Sequence, residues 1–322
     1  MWAPELPGYA THFVSCTNVG KLDVWDQETG QVQRTLNSEA AEMMSVIKSG
    51  SREILATSGQ VFVTQGTMIE LFDLTTGQSL HRFDKIAGLT VNFQSLSFLP
   101  STGSDDLRIL ATPNGMSSKE CHAHLFDLGT GILSQQIPLG FPGGAFVKAD
   151  LDTPGLFFVH SLYQDRKVML FDIRSPSSSG PVRSFLGMKA STEADCFSKL
   201  CCSGSGANRK VMSWDGSTVK VWDVGTGRAA VTLQRTTPEF LYAGMNDHTL
   251  LTFSHKDSCA HIWMLNGDIA PESPSQYSLV STGYKRNSFS IRAAAMNGKS
   301  VWVCPSNGII EGEFGPPPQR TW

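Results

Sequence analysis

No apolar stretch in the sequence approaches the 18 or so residues of a membrane-spanning helix, and Met1 to Thr11 hold neither Lys nor Arg nor an apolar run of secretory-signal length. The expectation is a soluble protein of the cytoplasm, the nucleus or both, with no membrane partner. Broad positive charge is also lacking: 26 Lys and Arg against 29 Asp and Glu leave a formal net charge of −3. A chain without a cationic field is not expected to take a nucleic-acid backbone as its main ligand. The cysteines at 16, 121, 196, 201, 202, 259 and 304 include no C-x-x-C pair, and their odd number points to reduced thiols rather than a disulfide or zinc framework. There is no G-x-S-x-G elbow, phosphate loop or zinc-hydrolase motif. No segment longer than about ten residues keeps a helical period.

What the chain does have is turn chemistry and short apolar runs: 30 glycines, 16 prolines and 40% hydrophobic residues, with only 17% charged. Ser217 to Gly227 gives the pattern. Val219, Val221 and Trp222 with Lys220 between them make a short strand, and Asp223 with Thr226-Gly227 closes it. The same unit recurs as Lys21 to Asp26, Met68 to Asp73, His122 to Asp127, Lys167 to Asp172 and Ala260 to Trp263. Its aromatic anchors at 25, 72, 126, 171, 222 and 263 are separated by 47, 54, 45, 51 and 41 residues, the spacing of a four-stranded blade with loop insertions. Four copies run on into Asp-x-x-Thr-Gly, ending at Gly30, Gly77, Gly131 and Gly227. A degenerate seventh copy ends at Phe314.

These residues resemble the WD-repeat β-propeller family over about Thr11 to Phe314. The resemblance implies an all-β, seven-bladed propeller forming one domain over residues 11–314, with 1–10 and 315–322 as terminal tails. No Gly-His dipeptide precedes any blade. The family's polar network around the anchor Trp is therefore expected to be only partial, from Asp215 with Trp222 and Asp257 with Trp263, and the blades are expected to lean on apolar packing. Strands also run short at the ends of the chain, so the first or seventh blade is expected to be incomplete and the seam between them weak.

The family's usual role implies a non-catalytic scaffold that binds a protein or peptide on one face. Lys119, Tyr163, Arg166, Trp214 and Lys256 are the residues expected there, mixing aromatic and cationic groups of the kind enriched in binding hot spots. A second reading rests on Phe171-Asp172-Ile173-Arg174, where an Arg replaces the usual turn. With Ser161, Asp165, Val168 and Leu170 it resembles the box by which some WD-repeat proteins dock, as substrate receptors, on the adaptor of a cullin-RING ubiquitin ligase. That resemblance implies adaptor contacts at Asp172 and Arg174. A third reading is an enzyme or small-molecule binder in the central channel. Cys121, His122 and His124 have metal-ligand chemistry, but they fall mid-strand without a second cluster and read as strand residues. No metal or cofactor is expected. Alternation places the adjacent Cys201 and Cys202 on opposite faces of one strand, where they read as packing rather than as a redox pair.

Overall fold

The computed structural model describes residues 12–16, 21–26, 31–38, 43–49, 52–61, 66–84, 93–100, 107–113, 120–150, 152–162, 167–175, 180–186, 199–214, 218–234, 240–245, 249–254, 259–265, 275–278, 291–297, 300–305 and 310–313. Among these residues the chain is strand and turn, with one 3-10 turn at Gly206–Asn208. The strands form seven antiparallel sheets, numbered here in chain order, each a meander whose neighbours in sequence are neighbours in space. Sheets 2 to 6 have four strands each. They run over Met43–Asp84, Phe93–Pro138, Ala145–Phe185, Lys199–Gln234 and Phe240–Ser278. Sheet 1 (His12–Asn37) and sheet 7 (Ile291–Glu313) have three among the described residues. The polar stretch after Pro271 supplies Ser275–Ser278, the outermost strand of sheet 6.

In sheets 2 to 6 the anchor aromatic lies on the third strand, and in sheet 1 Trp25 lies on the second of the three described strands. In sheets 2, 3 and 5 the turn after the anchor forms as the residue types dictate. Asp127 Oδ1 accepts from the Thr130 amide at 2.8 Å and from its hydroxyl at 2.9 Å. Asp223 does the same with Thr226, at 2.6 and 2.7 Å. Asp73 Oδ1 accepts from the amides of Thr75 and Thr76, both at 2.9 Å. Gly77, Gly131 and Gly227 take φ of 77°, 73° and 73°, which lets each amide return to the carbonyl of its turn Asp. The pairing of each anchor strand with the strand that follows it shifts register just before Trp25, Phe72, Phe126 and Trp222, a β-bulge at the anchor.

The core lies between the sheets. Every buried apolar cluster draws its residues from two consecutive sheets, 1 with 2, 2 with 3, 3 with 4, 4 with 5 and 5 with 6. Within these clusters the anchors follow one rule: Phe72, Phe126, Phe171, Trp222 and Trp263 all pack against the preceding sheet. Burying each such ring is worth on the order of 2–3 kcal/mol. Trp25 belongs to sheet 1 and is only half-buried. Innermost strands such as Phe93–Leu99 are buried on both faces, whereas the outer strand Ile132–Pro138 alternates exposed and half-buried.

Small polar side chains stitch the innermost strands together. Ser45 Oγ accepts from the Phe98 amide at 3.2 Å, and Ser97 Oγ accepts from the Ala149 amide at 2.9 Å. Ser95 Oγ accepts from Val147 N and donates to Val147 O, each at 3.2 Å. The two neighbouring thiols reach opposite ways: Cys202 Sγ lies 3.2 Å from Ala149 O in sheet 4, and Cys201 Sγ lies 3.7 Å from Met245 O in sheet 6. Innermost strands are sheet edges, and these bonds satisfy backbone groups that the ladder leaves open. Polar joints therefore add to the apolar packing anticipated from the sequence.

Candidate protein-interaction surface

One backbone bond recurs at the same end of four sheets and fixes which loops share a face. The residue after the turn Asp donates to the start of the second strand: Leu74 N to Glu53 O, Leu128 N to Leu107 O, Ile173 N to Gly155 O and Val224 N to Arg209 O, at 2.8 to 2.9 Å. Turns between third and fourth strands thus sit beside hairpins between first and second strands, and together they make the turn face. The second strands end and the third strands begin at the opposite end, the loop face.

Four of the residues expected on the loop face, Lys119, Tyr163, Arg166 and Lys256, lie outside the described residues, as do Asp165, Asp215 and Asp257. The loop that holds Tyr163 and Arg166 is pinned at its base. Lys167 N donates to Ser161 Oγ at 3.1 Å, and Ser161 N donates to Lys167 O at 3.0 Å. Trp214 corrects the expectation. It ends the second strand of sheet 5 with only 1% of its surface exposed, packed with Met212, Val219 and Leu250 between sheets 5 and 6. Strand alternation turns the ring into a dry interface, so it is a packing residue.

On the turn face, Asp172 and Arg174 form a closed pair. Arg174 Nε donates to Asp172 Oδ1 and Nη2 to Oδ2, both at 2.8 Å, while the Arg174 amide donates to Oδ1 at 2.9 Å. The guanidinium takes over the role that Thr fills in the other turns. Its side chain is 65% exposed, against 17% for Asp172. The Arg174 hydrogen bonds hold the Asp172 carboxyl below its ordinary value. Val168 and Leu170 of the same motif are buried in the core between sheets 4 and 5.

A second turn-face cluster had no sequence signal, because its partners are 59 residues apart. Arg209 Nη1 pairs with Asp150 and donates to Thr153 Oγ1 at 2.7 Å, while Gly206 N donates to Asp152 Oδ2 at 2.9 Å. These contacts join the first hairpins of sheets 4 and 5. Burial pushes the Asp150 carboxyl up, opposed by the Arg209 charge.

Deeper in the sheets, polar groups serve as joints. His160 Nδ1 and Ser213 Oγ are 2.8 Å apart with both residues fully buried, linking sheets 4 and 5. Trp263 Nε1 donates to Thr252 Oγ1 at 3.0 Å, whereas Trp222 Nε1 donates to Leu186 O at 3.3 Å. Burial pushes the Cys121 thiol up to about 12, so it is inert near neutrality. Burial, with the nearby His122 adding to it, lowers His124 to about 4.

No protein-family model and no curated protein matches the chain. Among solved structures 1076 chains match, so the architecture is widespread and does not by itself specify a function. One of them, the structure of U3-55K, superposes with a TM-score of 0.65 at 13% sequence identity, over 94% of this chain and 86% of that one. U3-55K is a WD40 β-propeller protein. Likeness at that identity establishes the fold: this chain has a WD-repeat-like, β-propeller architecture.

Proposed function

We propose that residues 11–314 form one seven-bladed ring that acts as a non-catalytic scaffold, holding a protein or peptide partner on the loop face through Lys119, Tyr163, Arg166 and Lys256. The observation that carries this reading is the use made of the described buried polar groups. Ser45, Ser95, Ser97, His160 with Ser213, and Asp150 with Arg209 all join one sheet to the next. Sheets joined in this way form a framework, and recognition on such a framework is carried by its loops. In such a ring sheet 7 precedes sheet 1, and Trp25 would meet it as its counterparts in sheets 2 to 6 meet the sheet before them. The test is affinity purification with mass spectrometry of the wild type and a Tyr163→Ala/Arg166→Ala double variant. Partners that bind the wild type and are lost from the variant support the site, and retention of every partner removes it.

Arg174 favours a second reading, docking of a ubiquitin-ligase adaptor on the turn face. The guanidinium is both fixed by Asp172 and exposed, an arrangement in which a binding group loses little freedom on contact. Loss of adaptor co-purification from Arg174→Ala supports this reading, and unchanged recovery opposes it.

A further inference from the structure

The turn after the third strand of sheet 4 differs from the others in length as well as in its Arg. In sheets 2, 3 and 5 the fourth strand begins five or six residues after the turn Asp, at Ser79, Ile132 and Ala229. In sheet 4 it begins eleven residues after Asp172, at Arg183. The added residues run Ser175-Pro-Ser-Ser-Ser-Gly180. Ser175 immediately follows the exposed Arg174, and among the described residues its hydroxyl makes no hydrogen bond. A proline at 176 disfavours the helical region for the residue before it and has no amide proton to offer, the two features a proline-directed kinase reads. The other described Ser/Thr-Pro sites are engaged: Thr112 is fully buried, and Thr153 accepts from Arg209.

We propose that Ser175 is phosphorylated by a proline-directed serine/threonine kinase and that the phosphate draws Arg174 away from Asp172. The γ-phosphoryl group passes from ATP to Ser175 Oγ, the bond to ADP breaks, and the hydroxyl proton leaves to the kinase's base. A phosphoserine carries a charge of about −1.5 to −2 at pH 7 against −1 for Asp172, and it offers three acceptor oxygens to the same fork. The modification regulates the Arg174 surface and so deepens the adaptor reading, but its test needs only the purified chain.

The chain is incubated with a proline-directed kinase and ATP, the site is mapped by mass spectrometry, and the phosphate is titrated by ³¹P NMR. Ser175 takes up phosphate, Ser175→Ala loses that signal at least tenfold, and the second phosphate ionisation falls below its usual value near 6. Arg174→Ala, which leaves Ser175-Pro176 intact, raises that ionisation again. The proposal is overturned if incorporation is the same in Ser175→Ala, or if the phosphate titrates identically with and without Arg174. Adaptor binding by the unmodified chain is a separate measurement, so either idea can fail while the other stands.

Discussion

Phe83 of sheet 2 lies so close over Gly131 of sheet 3 that a Cβ built on the glycine would stand 2.6 Å from the ring. Arg34 covers Gly77 in the same way, at 2.8 Å, and Arg183 covers Gly227 at 3.5 Å while donating to the carbonyls of Val224 and Gly225. The outermost strand of one sheet is thus clasped to the turn of the next, and at Gly131 the missing side chain is needed as well as the φ.

Gly131→Ala should cost about 2–4 kcal/mol, from a left-handed penalty of about 1–2 and a comparable steric term. Gly140 is the control: its φ is 75° with nothing within 4 Å of a built Cβ, so Gly140→Ala should cost only the first part. In a Phe83→Ala background the cost of Gly131→Ala should fall by about 1 kcal/mol or more, measured by urea denaturation in a double-mutant cycle. Equal costs in both backgrounds would remove the clasp.

Ser213→Ala should destabilise by about 1–3 kcal/mol, because it strips the buried His160 Nδ1 of its partner across the joint between sheets 4 and 5. Ser213→Thr, which keeps the hydroxyl, should recover part of that loss in the same denaturation series.

Trp214→Ala should cost about 3–5 kcal/mol, as for a core aromatic. A change below about 1 kcal/mol, with partner binding lost instead, would restore the surface role expected from the sequence.

His124 makes the fold sensitive to acid. Its folded value near 4 lies below the ordinary 6.5, so above pH 6.5 the imidazole is neutral in both states. As pH falls from 6.5 toward 4 the unfolded chain takes up a proton that the folded chain does not, and stability is lost, by up to roughly 3 kcal/mol. His124→Gln should flatten the loss across that window in stability measured against pH. An unchanged slope would show that His124 is not its source.

The frame was legible because it is local. The Asp, Thr and Gly of each turn lie within five residues of one another, and the anchor spacing shows that the unit repeats. Alternation alone placed Cys201 and Cys202 on opposite faces. The joints were not legible, because their partners lie far apart in the chain: 52 residues from Ser97 to Ala149, 53 from His160 to Ser213 and 59 from Asp150 to Arg209. A serine that satisfies a neighbouring sheet reads in sequence like any strand serine. Trp214 differs for a related reason: it ends a strand next to a loop, but strand alternation turns its ring inward.

The proposed ring of consecutive sheets closes between sheet 1 and sheet 7, where each has three described strands and where Trp25 is less deeply buried than the other anchors. Backbone hydrogen exchange tests it most directly. If the ring closes at a weak seam, the amides of residues 11–36 and 290–314 exchange faster than those of sheets 4 and 5, and Trp25→Ala accelerates exchange in both terminal segments together. Protection in those segments equal to that of sheets 4 and 5 would contradict the weak seam, and a Trp25→Ala effect confined to residues 11–36 would contradict closure.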